Sequence, residues 1–174
     1  IGPIGYFIGE YIAIGIDRII NFAPWLAGFL VAASRPFLVL CGMHHAIRPL
    51  TIQQISTYGY STIAAMNFMS TMAQATAAFA IFVLTKNKNS KQISASSTVS
   101  GYFGITEPAL YGIIMKYKAA MVGTLLGGGF GGLIATVLGA RAYASAMPSI
   151  LSIPVFFGEG FTGFVIGLIV TIVS

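Results

Sequence analysis

Charge is what this chain has least of. Only 7% of its 174 residues are charged, four acids against nine Lys or Arg. Soluble domains carry about 25% charged residues, so this supply cannot build a water-facing surface. Cysteine is nearly absent. Cys41 stands alone, which excludes an internal disulfide, and its apolar setting predicts a buried thiol. With one Asp and one Cys, neither near a partner in sequence, no Ser-His-Asp or Cys-His constellation can be argued. The two histidines, His44 and His45, are adjacent, with no HExxH and no second His or Cys cluster. That pattern argues against a metal site, and a haem held by two histidines needs one on a separate helix. No cofactor is implied. The net charge of +5 does not point to nucleic acid, because the basic residues are few and follow membrane topology instead.

What the chain does have is apolar length: 56% of its residues are hydrophobic. The runs 49–85 and 119–140 contain no charge, and runs above roughly 18 such residues are transmembrane candidates. Residues 3–22 read as a first helix. Residues 24–46 read as a spanning helix, with Trp25 near an interface and an interruption at Arg35 and Pro36. The uncharged polar stretch 51–61, with Gln53 and Gln54, fits a re-entrant hairpin or a site lining, since such backbone survives at membrane depth only beside protein or a water-filled cavity. Residues 62–84 read as a helix with small residues at Ala73, Ala77 and Ala80. Residues 85–92 read as a loop, and Lys86 to Lys91 places it in the cytoplasm by the positive-inside rule. Residues 119–138 read as a helix whose glycines, at Gly123, Gly127 and Gly131, repeat every four residues. GGGFGG lacks the strand and the Lys-Ser/Thr of a phosphate loop, and small residues at this spacing let helices approach closely. Residues 147–160 read as a loop or a second re-entrant piece, and a last helix begins at Phe161. The fold class is all-α: a polytopic transmembrane helical bundle with re-entrant hairpins.

The stretch GYFGITEPALYG holds Glu107 between glycines and aromatics. One reading is an exposed loop carboxylate. The other is a broken-helix tip that aims a carboxylate into a cavity, since ionisable groups in membrane segments usually mark a pathway or binding site. Tyr102, Phe103, Ile105, Leu110 and Tyr111 favour the second. On an α-helix His44 and His45 point roughly 100° apart, so they cannot both face one ligand from that geometry. For Arg48 two readings stand, snorkelling to a headgroup or binding an anion, and Arg35 is similar. Glu159, between two glycines, reads as a loop charge.

These motifs carry a resemblance. GITEPALYG resembles the signature of enzyme IIC, the membrane-embedded sugar-transporting subunit of the bacterial phosphotransferase system, in its glucose/sucrose/β-glucoside superfamily. GMHHAIRPL resembles that family's histidine segment, AMPSILSIP its PS-LLTLP stretch, and FAPWLAGFLVA the helix entering the histidine segment. The four occur in family order across nearly the whole chain.

The resemblance implies about ten helices in the full subunit, in two parts. The N-terminal part makes most of a homodimer contact, and the C-terminal part carries the sugar. This chain resembles the C-terminal part: residues 1–22 form a helix leading in, residues 23–174 form the sugar-binding part, and both ends look cut. The resemblance implies residence in the bacterial plasma membrane and contact with membrane lipid. It also implies a cleft that binds a glucoside or disaccharide and moves it as a rigid body toward a phosphocysteine on an enzyme IIB partner. Glu107 matches the motif glutamate that accepts sugar hydroxyls, and His44 matches the histidine after Gly-x. His45, Arg48, Thr106 and Gln53 complete the expected substrate-binding set; Gln54, Asn67 and the aromatics Tyr102, Phe103 and Tyr111 are added on chemistry. No catalytic residue is assigned, since Cys41 cannot replace the absent phosphocysteine domain. Ile114, Met115 and Lys116 occupy a position where relatives often show Asn-Leu-Pro. Arg48 stands where relatives are often apolar, which suggests an unusual or anionic substrate. Competing readings are a partial permease acting only as a membrane interaction protein, and a proton-coupled carrier using Glu107.

Overall fold

The computed structural model describes residues 22–173 and, before them, Tyr11, Gly15, Arg18 and Ile19. The helix expected over 3–22 therefore falls largely outside the described residues. Among the described residues the architecture is all helical, apart from one isolated antiparallel bridge between Ser61 and Ala142.

Helix α1 (Pro24–Leu40) opens with proline in its first turn, where a missing N–H costs nothing. It runs on through Arg35 and Pro36, so the expected interruption is not there; the chain instead turns at Gly42, with φ 71°. A 3₁₀ turn (Met43–Ile47) leads into α2 (Arg48–Tyr58), which Gly59 ends with φ 77°. The polar stretch expected to form a hairpin or lining is thus mostly one short helix.

Helix α3 (Thr62–Leu84) has the predicted bounds. Ser61 caps it, its Oγ accepting from Ala64 N at 3.2 Å. Asn87 then caps α4 (Lys88–Tyr102) by accepting from Asn89 N and Ser90 N. The loop expected over 85–92 is therefore only about a turn long, and SASSTVS is helical. Its hydroxyls make this possible in apolar surroundings by bonding back to the preceding turn: Ser94 to Ser90 O and Thr98 to Ser94 O, both at 2.7 Å.

Helix α5 (Glu107–Gly112) and a 3₁₀ turn (Ile114–Lys116) precede α6 (Lys118–Val137). A second 3₁₀ segment (Ile150–Phe156) and α7 (Phe161–Val173) complete the order. Ser149 and Ser152 hold the start of that segment, with Ser152 Oγ accepting from Ser149 N at 3.1 Å.

Helix α6 is the hub and packs on α1, α3 and α7. Of the expected row, Gly131 meets Thr171 of α7 and Gly123 faces open space; the seam with α1 and α3 is made by Gly128 and Gly132 beside that row. A Cβ on Gly132 would sit 2.5 Å from Ala32 Cβ and 2.6 Å from Gly28 O; one on Gly128 would sit 3.2 Å from Ser70 Cα. The backbones meet where side chains would stand, which is the close approach small residues permit in a membrane. Beside this seam an aromatic cluster of Phe68, Phe156 and Phe164 fills the core, with Phe156 and Phe164 stacked at 4.2 Å.

Helices α3 and α6 are long and apolar enough to cross a membrane; α1 and α7 are shorter apolar helices. Trp25 is exposed at the start of α1. Cys41 is exposed, not buried as its apolar neighbours predict, because it falls on the turn that leaves α1.

Candidate functional site

A cavity of about 670 Å³ opens between the turn after α1, the start of α2, the α4–α5 break and the strand-like segment after α6. Each wall has a local cause. Gly104, at φ 95°, breaks the chain between α4 and α5, and a Cβ there would lie 2.8 Å from Pro148 O. Only glycine meets both demands. The break lets α5 begin at Glu107, with Pro108 in the first turn, so the carboxylate stands at the helix start and lines the cavity. A carboxylate is also the favoured charge at that end of a helix. Ser97 Oγ donates to Pro108 O at 3.1 Å, which ties α5 back onto α4.

His44 comes from the opposite wall. Its Nε2 lies 3.2 Å from Glu107 Oε1, with the His44 side chain 15% and the Glu107 side chain 42% exposed. The two arms are tied where Tyr111, one helical turn after Glu107, reaches back to α1: its hydroxyl lies 3.1 Å from Val39 O, which also accepts from Gly42 N, and 3.0 Å from Leu40 O at that helix's end. Tyr111 thus sets the spacing of the two arms and offers no stacking face.

Of the six residues expected to bind substrate, five line the cavity: Glu107, His44, His45, Arg48 and Thr106. Gln53 does not; it is exposed on α2. Its neighbour Gln54 bonds instead to Ser61 Oγ at 2.8 Å and fixes the α2–α3 turn. His44 and His45 share the cavity, against the geometric expectation. They lie on a 3₁₀ turn, which splays neighbouring residues by about 120°, yet their side chains bend together so that the rings stand 4.0 Å apart between centroids. None of Tyr102, Phe103 or Tyr111 lines the cavity, whose aromatic contribution is Phe156. Tyr102 packs on the core and lies 3.4 Å from the Thr76 hydroxyl.

Asn67, expected on chemistry alone, and Arg35, with its two open readings, both line the cavity. Arg35 is 8% exposed and its Nη1 donates to Asn67 O at 2.8 Å. Arginine in a spanning helix was the available signal for it. Two buried polar atoms at the site have no partner, Nδ1 of His44 and Oδ1 of Asn67. Buried polar atoms are nearly always bonded, so these await a ligand or water. Segment 142–148 closes the remaining wall, and its bridge to Ser61 consists of two backbone bonds, Ser61 N to Ala142 O at 2.8 Å and Ala142 N to Ser61 O at 3.0 Å. Glu159 stands apart. It pairs with Arg141 at 3.0 Å on the surface and does not line the cavity.

The site is thus a polar pocket inside an apolar helical protein, with one carboxylate acceptor, several N–H donors and an aromatic floor. It suits a polyhydroxylated ligand, whose hydroxyls both donate and accept. Residues 1–128 match the family described as "Phosphotransferase system, EIIC". The chain belongs to that family and is a membrane protein. It is 33% identical over 169 residues to the PTS system beta-glucoside-specific EIIBCA component of Bacillus subtilis, covering 97% of this chain and 28% of that protein. It is 32% identical over 182 residues to the trehalose-specific EIIBC component of Escherichia coli, covering 99% and 38%. It is 27% identical over 177 residues to the sucrose-specific EIIBC component of Bacillus subtilis, covering 100% and 38%. The chain therefore spans well under half the length of each of these relatives. No solved structure matches it.

Proposed function

We propose that this chain forms the sugar-binding part of a phosphotransferase permease, holding a glucoside or disaccharide in the cavity for phosphorylation by an enzyme IIB partner. The observation that carries the reading is the His44–Glu107 pair, brought together from two separate arms inside one polar cavity. Glu107 accepts sugar hydroxyls through a carboxylate, a charge-assisted bond roughly twice as strong as a neutral one. His44 orients that carboxylate, and its free Nδ1 meets a further hydroxyl. Thr106, beside Glu107 and 2% exposed, packs the pocket edge, and His45 adds a donor or acceptor. The phosphoryl group comes from the partner, and this chain presents the sugar to it.

The names of the relatives support a sugar and a B component as partners. They do not favour a protein kept only for membrane interaction. The finer arrangement follows the same reading: several passes through the bacterial plasma membrane, lipid around the apolar helices, Lys86 and its neighbours on the cytoplasmic side, and a homodimer of the whole subunit. The proton-coupled alternative is separated by the energy source. Uptake of labelled sugar into vesicles should require phosphoenolpyruvate and the soluble phosphotransferase proteins, and Glu107→Gln should abolish it. Uptake that follows a proton gradient without phosphoenolpyruvate would overturn the reading.

A further inference from the structure

A neutral sugar does not account for the charge in this cavity. Two guanidinium groups and two imidazoles line it, against one carboxylate. Arg35 has a partner, the Asn67 carbonyl, and Glu107 faces His44. Arg48 has neither. Among the described residues its side chain makes no hydrogen bond and no ion pair; it is exposed and lines the cavity, where its guanidinium is open to a ligand.

Its position adds a cost. Arg48 is the first residue of α2, where the macrodipole is positive and a cation is disfavoured. The first turn of α2 contains no acid, and no side chain caps it. A residue that breaks a local rule with no compensating contact is expected at functional sites. An anion in the cavity would offset the charge surplus and pair with a planar donor fork suited to carboxylate or phosphate.

We propose that Arg48 forms an anion subsite of the sugar cavity, so that the preferred ligand is a sugar bearing a carboxylate or a phosphate. The anion has two possible sources. It is the substrate's own acidic group, or it is the phosphoryl group that a neutral sugar gains as product. This inference rests on the sugar-binding reading of the same cavity.

The test is calorimetric titration of the intact membrane protein in detergent with three matched probes: methyl β-glucoside, methyl β-glucuronide and methyl β-glucoside 6-phosphate. The expected result is about tenfold tighter binding of an anionic probe than of the neutral one, the scale of a hydrogen bond to a charged group. In Arg48→Leu that preference should vanish, the anionic and neutral probes then binding alike. Arg48→Lys should keep part of it, and added salt should weaken it. Preference for the glucuronide identifies an acidic substrate; preference for the 6-phosphate alone identifies product recognition. Equal affinities in the wild type, or a preference that survives Arg48→Leu, would overturn the anion subsite and leave the sugar site standing. Failure of every probe to bind well-folded wild-type protein would overturn the sugar reading itself.

Discussion

His44 and Glu107 are 63 residues apart in sequence and 3.2 Å apart in space, and no helix contains both. Their meeting depends on two devices, the Gly104 break in the cavity wall and the Tyr111 hydroxyl outside it. Each can be perturbed without removing a side chain from the cavity.

Replacing Glu107 with Gln keeps size and shape but removes the charge. Sugar affinity should fall at least about tenfold, the worth of a charge-assisted bond. His44→Ala should also weaken binding, and the double variant should lose less than the sum of the two, because the groups act as a pair. Titration calorimetry on the four proteins gives the coupling. Strict additivity would mean that the two residues bind independently.

Tyr111→Phe removes one hydroxyl and leaves two carbonyls at the end of α1 without it. The expected loss is about 0.5–1.5 kcal/mol of stability, read as a lowered melting temperature in detergent. Sugar affinity should fall as well, although Tyr111 does not line the cavity. Unchanged affinity would show that the two arms keep their spacing without this tie.

The glycines of α6 are not equivalent. Gly132→Ala places a methyl 2.5 Å from Ala32 Cβ and should cost about 1–3 kcal/mol, as overpacking does. Gly123→Ala meets nothing within 4 Å and should be neutral or slightly stabilising, since alanine is the better helix former. Thermal unfolding of the pair separates packing from propensity.

Glu159→Gln is the contrasting case. Its partner Arg141 is at the surface, where such ion pairs contribute little. Sugar binding and melting temperature should both stay within experimental error. A clear loss of binding would place Glu159 nearer the ligand than its surface pairing implies.

Sequence made the secondary structure of the long elements legible. Helix α3 begins and ends where its apolar run does, and the glycines of α6 marked a close helix approach. The errors lie where local chemistry has two solutions. Polar residues 51–58 and 94–100 read in sequence as linings or lead-in, but both are helical; Thr51 in the first, and Ser94, Thr98 and Ser100 in the second, bond back to the preceding turn. Pro36 was read as a break, yet α1 continues through it and the stop comes at Gly42. At the site, the motif carried Glu107 and His44. The convergence of His44 with His45 is not readable in sequence, because either helical turn points neighbours apart and only the side-chain rotamers bring the rings together. The role of Tyr111 was equally hidden: a tyrosine that stacks on a sugar and one that binds a carbonyl 71 or 72 residues away look alike in sequence.

The bridge between Ser61 and Ala142 separates what can drift in this protein from what cannot. Both of its bonds are main chain to main chain, so of all substitutions only proline at Ser61 or Ala142 takes away a donor. The neighbouring residues 143–148 can therefore change identity while the wall they form stays in place. Against a fixed pair on the opposite arms, that wall is free to be re-lettered. Exchanging 143–148 for the equivalent stretch of a relative with another sugar should shift preference and leave the fold standing. Preference and melting temperature, measured together on such a chimera, would show whether specificity in this family evolves along one short piece of backbone.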